Sequence, residues 1–159
     1  NGYCNIAMLS GKKMAQVSER RESGYKRALE KHGFRVREEW IVDCQFDQST
    51  AMQKAMELKH RYPGIDAFFC ASDGIAIGAI DGMMQLGMQV PQDVAVAGFD
   101  DFTVSKYIHG GITSVKQYPY EMGVACANTV VSMIDGNRVP DWIPMEYKLM
   151  KRTSTKAKL

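Results

Sequence analysis

The chain has 159 residues, of which 45% are hydrophobic and 24% are charged, and its formal net charge is +2. These values are ordinary for one soluble globular domain with its own core, and a near-neutral chain with dispersed basic residues is not expected to coat nucleic acid. The longest apolar stretches, such as Val94 to Phe99, are far too short to span a bilayer.

The cysteines favour a reduced protein. They lie far apart, at Cys4, Cys44, Cys70 and Cys126, and no C-x-x-C pair occurs, so we expect no zinc site. Cys70 sits in an apolar run, which predicts a buried thiol, and a reducing cytoplasm fits better than a cross-linked secreted scaffold. Asn1 is not a natural start, so we expect a fragment, and the lack of a signal peptide decides little.

Short apolar runs alternate with segments of helical period along the first hundred residues. The pattern predicts strands at Ile6–Leu9, Trp40–Val42, Ala67–Cys70 and Val94–Phe99, with helices at Ser18–His32, Ser49–His60 and Asp73–Leu86. This β-α-β-α-β-α-β order predicts an α/β fold with a parallel sheet and helices on both faces.

The rhythm changes after Asp101. We expect a loop through His109, a short strand at Thr113–Gln117 and an amphipathic helix at Tyr118–Ile134. A last strand is predicted at Ile143–Met150, and the basic tail Lys148 to Lys158 is expected to be a solvated end.

Polar side chains follow each predicted strand. Because parallel sheets bind ligands beyond the carboxyl ends of their strands, we expect a pocket there. The candidates are Arg20, Arg21, Phe46, Ser72, Asp73, Asp100 and Asp101. Carboxylates, guanidinium groups, hydroxyls and an aromatic face suit a sugar.

Structural explanations exist for most of these candidates. Ser72 and Asp73 could begin a helix, Phe46 could be core, and the arginine pair could be solvated. Asp100 and Asp101 are harder to explain by packing, because two adjacent acids follow a fully apolar strand. Paired aspartates could also hold Mg²⁺ for phosphoryl chemistry, although no catalytic lysine or common enzyme motif supports that alternative.

Five motifs follow one another over nearly the whole length of the chain. The most specific is the stretch Gly87–Asp101, which is similar to the block G-x-x-V-P-x-D-[VI]-[AS]-V-x-G-[FY]-D-[DN]. The other motifs are Arg21–Tyr25 with Ala28-Leu29 and Gly33, Ala67–Asp73 with Ala76 and Gly78, Ile112–Val115 with Gln117 and Met122-Gly123, and Leu149–Thr155. With these motifs the chain resembles the LacI/GalR family of bacterial transcription regulators.

The resemblance implies a periplasmic-binding-protein-like type I core with ligand between two subdomains. Residues 1–116 would form the C-terminal effector-binding subdomain, residues 117–142 would cross into the N-terminal subdomain, and residues 143–159 would return. The rest of that subdomain and a helix-turn-helix DNA reader would lie upstream of Asn1. The expected function is effector sensing that allosterically alters operator affinity, without enzyme activity, metal or cofactor.

The resemblance also implies residue roles. Arg21 and Asp100 match ligand-binding positions, Phe46 matches an aromatic that stacks on the ligand, and Ser72 stands where many members have asparagine. Asp101 is expected to shape its loop.

Two further residues resemble dimer contacts of the family, namely Ile77 and Tyr107, although either could equally be core. The implied partners are a sugar or sugar phosphate, operator DNA and a second copy of the chain, in the cytoplasm and without a membrane. The alternative is a periplasmic sugar-binding protein of a transport system.

Overall fold

The computed structural model describes residues 2–155, which are built around six strands. These are β1 (Ile6–Ser10), β2 (Ile41–Asp43), β3 (Ala67–Cys70), β4 (Ala95–Asp100), β5 (Thr113–Lys116) and β6 (Lys148–Met150). They form one sheet in the order β2-β1-β3-β4-β5-β6. All pairs from β2 to β5 are parallel, as predicted, and β6 runs antiparallel to β5 at the edge.

Four helices accompany the sheet: α1 (Gln16–Lys31), α2 (Gln48–Arg61), α3 (Asp73–Gln85) and α4 (Pro119–Ile134). On one face, Tyr25 of α1 stacks on Phe69 of β3 with ring centroids 6.0 Å apart. Phe69 is in register with Ala97 of β4, so these two residues lie on the same face of the sheet. Gly98 follows Ala97 in β4 and therefore lies on the opposite face. A Cβ at Gly98 would lie 3.3 Å from the Cβ of Ala76 in α3. The prediction of helices on both faces is therefore confirmed.

The core lies on both faces of the central strands. Successive residues Met8 and Leu9 are fully buried, and Phe68 is 1% exposed, which is the pattern of a parallel sheet covered on both sides. Cys70 is also buried, as predicted. Burial raises the pKa of the Cys70 thiol well above its usual value and that of Cys44 to about 12, so both thiols stay protonated.

The last strand is shorter than predicted. Only Lys148–Met150 pairs with β5, and residues 143–147 form no strand, so the prediction of Ile143–Met150 was wrong over its first five positions. The strand is short because its partner β5 is short. The pairing ends where Lys148 lies opposite Lys116, the last residue of β5.

The segment after β6 is anchored to the protein, and the prediction of a solvated end was wrong for Arg152–Thr155. Ser154 is 3% exposed. Its hydroxyl accepts from the Thr113 amide at 2.8 Å and donates to the Val96 carbonyl at 2.6 Å. The prediction was based on the basic residues of this segment and did not consider the Ser154 hydroxyl, which satisfies backbone groups of β4 and β5. The rest of that prediction, Lys156 to Lys158, lies outside the described residues.

Helix α4 differs from the other three, because none of its residues is buried. Apolar side chains along it are open to solvent, including Tyr120 and Ile134, each 78% exposed. Within residues 2–155, no helix combines the length and the apolar character needed to cross a bilayer.

Candidate functional site

Parallel pairing brings the carboxyl ends of β1 to β4 to one edge of the sheet. The residues that follow these ends are Gly11, Cys44–Asp47, Ala71-Ser72 and Asp101. This is the edge at which open parallel sheets bind ligands. The candidate residues from separate parts of the chain therefore meet in one region.

Arg21 is held by three groups at this edge. One guanidinium nitrogen donates to the carbonyl of Ala71, and the other donates to Oδ1 of Asp100 at 3.0 Å. The guanidinium carbon also lies 4.0 Å from the ring centroid of Phe99. The ion-paired side chains of Arg21 and Asp100 are only 12% and 18% exposed. The charge is thus fixed in place before any ligand arrives, which lowers the ordering cost of binding.

Asp100 combines burial with an acceptor that remains available. Gln117 donates to Oδ1 at 2.6 Å, so Arg21 and Gln117 share this oxygen. Within the described part of the chain, no donor reaches Oδ2. Burial raises the pKa of Asp100 above its usual value, although Arg21 and Gln117 oppose the shift. A poorly solvated oxygen of this kind is a strong acceptor for a ligand hydroxyl.

Phe46 follows β2 in the chain, and its ring lies against Gly11, the residue after β1. A Cβ at Gly11 would be 2.1 Å from its ring, so the ring covers a position that only glycine can occupy in this arrangement. Phe46 has a φ of 58° and remains 37% exposed. The ring is therefore neither core nor fully solvated, and it presents apolar surface at the same edge as Asp100.

Ser72 begins α3. Its Oγ accepts from the amide of Ile75 at 3.3 Å, and the residue is 7% exposed. The structural interpretation of this residue as a helix cap is therefore correct. The hydroxyl proton is still free to donate to a second acceptor, so the cap and a ligand contact are compatible.

Asp101 has a different environment from Asp100. Its side chain is 2% exposed, and Arg152 donates to its Oδ1 at 2.5 Å. The two adjacent acids thus pair with different arginines, as expected if Asp101 shapes the loop. This division does not suit a shared Mg²⁺ ion, and no group of three or more metal-ligand side chains occurs within residues 2–155.

An apolar groove of about 710 Å³ also reaches the site. It runs along the α1 face of the sheet from Gln117 and Arg21 to Tyr3, and Phe69 and Ala97 form part of its floor. Because a hydroxyl-rich ligand needs polar partners, the polar edge at Asp100 is the better candidate for recognition.

The chain matches a known protein family. A family model described as the periplasmic binding protein-like domain matches residues 1–155. The chain belongs to this family.

Several similar proteins are transcription regulators. The repressor PurR of Yersinia pestis (strain Pestoides F) is 31% identical over 157 residues, which are 96% of this chain and 45% of that protein. A solved complex of the regulator CelR with cellobiose is 33% identical with a TM-score of 0.91, covering 97% of this chain and 47% of that one. A sugar-binding LacI-family regulator from Escherichia coli is 30% identical with a TM-score of 0.88, covering 97% and 55%.

The resemblance to LacI/GalR regulators and the predicted periplasmic-binding-protein-like fold are confirmed. The named relatives are repressors and regulators, neither transport proteins nor enzymes. This chain spans about half the length of the relatives it matches.

Two residues of the site are not predicted by the sequence pattern. Gln117 belongs to a motif that assigns it no role, yet it donates directly to Asp100. Arg152 lies in the segment predicted to be a solvated tail, although it neutralises Asp101. The lone signal for both was their place in family motifs, because neither periodicity nor charge pattern distinguishes them from surface residues.

Proposed function

We propose that this chain is the effector-sensing part of a LacI/GalR-type transcription regulator and that its effector is a sugar or sugar derivative. The observation that carries the proposal is the preorganised Arg21–Asp100 pair at the carboxyl edge of the sheet. It occurs in a chain whose relatives include a sugar-binding LacI-family regulator.

The proposed contacts follow from the chemistry of each side chain. Asp100 accepts from a sugar hydroxyl through Oδ2, and Arg21 donates to ligand oxygens. Phe46 covers the apolar C–H face of the ring, and Ser72 donates its hydroxyl proton. A cellobiose complex of a 33% identical regulator supports a saccharide of this size class.

We further propose a two-subdomain arrangement. Residues 1–116 and 143–159 belong to one subdomain, and residues 117–142 cross to the other. The unburied apolar surface of α4 supports this division, because such a helix needs a partner to cover it. An effector in the cleft would favour one subdomain orientation by binding it more tightly, and this difference in affinity alters operator binding.

The regulator is proposed to act as a cytoplasmic homodimer that binds operator DNA through a separate helix-turn-helix domain. Ile77 and Tyr107 are the proposed dimer contacts. Tyr107 is 78% exposed, and exposed Val104 and Met84 provide further apolar surface on nearby elements. A surface of this kind is typical of an interface rather than of a solvated face.

A ligand screen tests the proposal. Thermal unfolding is followed with pentoses, hexoses, disaccharides including cellobiose, and sugar phosphates. A true effector at one hundred times its Kd should stabilise the protein by about 2.7 kcal/mol. Gel-shift assays of the full-length regulator with DNA from neighbouring genes should then show operator affinity that changes with that effector. A full-length protein that binds a sugar but binds no such DNA would instead support the transport alternative.

A further inference from the structure

The carboxylate of Asp73 is fully buried at the start of α3. Its Oδ1 accepts from Ser114 Oγ at 2.6 Å. Its Oδ2 accepts from the Phe102 amide at 2.8 Å and from Ser105 Oγ at 2.6 Å. All three donors are neutral, and they come from β5 and from the loop that follows β4. A buried charge satisfied in this way ties those segments to α3.

Two of these bonds fix the backbone around the ligand-binding candidate. Ser114 Oγ accepts from the Asp101 amide at 3.0 Å, so the peptide that follows Asp100 is linked to Asp73 through one hydroxyl. The next peptide is held directly through Phe102. Asp100 and Asp101 have φ values of 107° and 55°, which residues with side chains rarely adopt without such support.

Strand β4 lies directly against the same carboxylate. A Cβ at Gly98 would be 2.3 Å from Asp73 Oδ1, so only glycine permits the approach. The strand thus passes Asp73 two residues before Asp100, and the bonded amides come one and two residues after it. Asp100 is therefore held on both sides by one group that it does not itself contact through a hydrogen bond.

The third bond leads away from the site. Ser105 is fully buried within a short 3₁₀ turn, Thr103–Lys106, and Tyr107 follows that turn. The carboxylate that holds the Asp100 backbone therefore also holds the base of the segment that exposes Tyr107.

We propose that Asp73 is a positioning residue, whose carboxylate sets the backbone of Asp100 for its pairing with Arg21 and Gln117 and links this site to the Tyr107 segment. The assignment of Asp100 to ligand binding rests on the proposed function, whereas the positioning itself can be measured without ligand.

The test is NMR of the ligand-free chain with Asp73→Asn. The amide can keep most hydrogen bonds if the serine hydroxyls rotate, but the charge is lost. We expect amide hydrogen exchange at Asp101 and Phe102 to accelerate by about three- to tenfold, the range for a weakened hydrogen bond. The Arg21 guanidinium and Gln117 side-chain resonances should also move, although neither group is hydrogen-bonded to Asp73.

Ser154→Ala is the matched control, because Ser154 is similarly buried and bonds to β4 and β5 without reaching the Asp100 loop. It should lower stability and leave the Arg21 and Gln117 signals unchanged. If Asp73→Asn behaves like this control, Asp73 has only a structural role and the proposal is overturned.

Ser114→Ala provides a second variant if Asp73→Asn does not fold. It breaks the link to the Asp101 amide and should move the same Arg21 and Gln117 signals; unmoved signals would refute the positioning role. Movement of those signals in a protein that binds no sugar would support positioning and count against the proposed function. A sugar bound equally well by the native protein and Asp73→Asn would support the proposed function and count against the positioning role of Asp73.

Discussion

The ion pair between Arg152 and Asp101 allows a quantitative prediction about the segment after β6. In Arg152→Met, the apolar stem is kept but two donors are lost, one to Asp101 at 2.5 Å and one to the Ile112 carbonyl at 2.7 Å. The Asp101 carboxylate, 2% exposed, is then left as a buried charge without its cation.

The expected cost follows from the burial of the pair. Removing one partner of a buried pair costs about 3–5 kcal/mol, because the other charge remains uncompensated. Arg152 is 14% exposed, so some water can reach the vacated position and the lower end applies, about 3 kcal/mol. For a chain of this length, that loss lowers Tm by roughly 6–12 °C.

Urea unfolding followed by circular dichroism measures this loss. Lys54→Met is the matched control, since Lys54 pairs with Glu57 at 2.7 Å but the side chains are 40% and 62% exposed. It should cost no more than about 1 kcal/mol. The double variant Asp101→Asn with Arg152→Met should be more stable than Arg152→Met alone, because no unpaired charge remains. A loss below about 1 kcal/mol for Arg152→Met would refute this reasoning.

Two further predictions concern Gly98 and Asp100. Gly98→Ala should destabilise the chain by about 1–3 kcal/mol in urea unfolding, because the added Cβ would lie 2.3 Å from Asp73 Oδ1. Gly24→Ala is the control and should be neutral or stabilising, because a Cβ there would have nothing within 4 Å. The raised pKa of Asp100 means that this carboxyl binds its proton more tightly in the native state than in the unfolded state, so its own contribution to stability should fall as pH rises above 3.8. Asp100→Asn removes this contribution, so the stability of the native chain relative to that of the variant, measured by urea unfolding over a pH series, should fall as pH rises through this window. A difference between the two proteins that does not change with pH would contradict burial of Asp100 as the cause.

The parallel sheet and its helices could be predicted because their signals are local. Apolar runs such as Ala67–Cys70 and the helical period of Asp73–Gln85 report burial directly. The edge strand was overestimated at Ile143 because the length of a strand also depends on its partner, which the local pattern does not record.

The polar network could not be predicted from the sequence pattern. Asp73 matches an ordinary first-turn acid, and only three-dimensional packing places it against Ser105 and Ser114, which lie more than thirty residues away. Likewise, the basic residues around Arg152 do not indicate that its side chain pairs with Asp101. A charged residue buried by contacts with distant parts of the chain produces no hydrophobic periodicity in the sequence.

The central claim is that Asp100, and not its neighbour Asp101, binds the effector. Isothermal titration calorimetry of the protein with the effector from the sugar screen tests it directly, comparing Asp100→Asn with the adjacent Asp101→Asn under conditions where both are folded. We predict that Asp100→Asn weakens binding by about 10- to 150-fold, the range for a lost hydrogen bond to a charged group, while Asp101→Asn changes affinity by less than about threefold. Unchanged affinity in Asp100→Asn, or a larger loss in Asp101→Asn, would contradict the account.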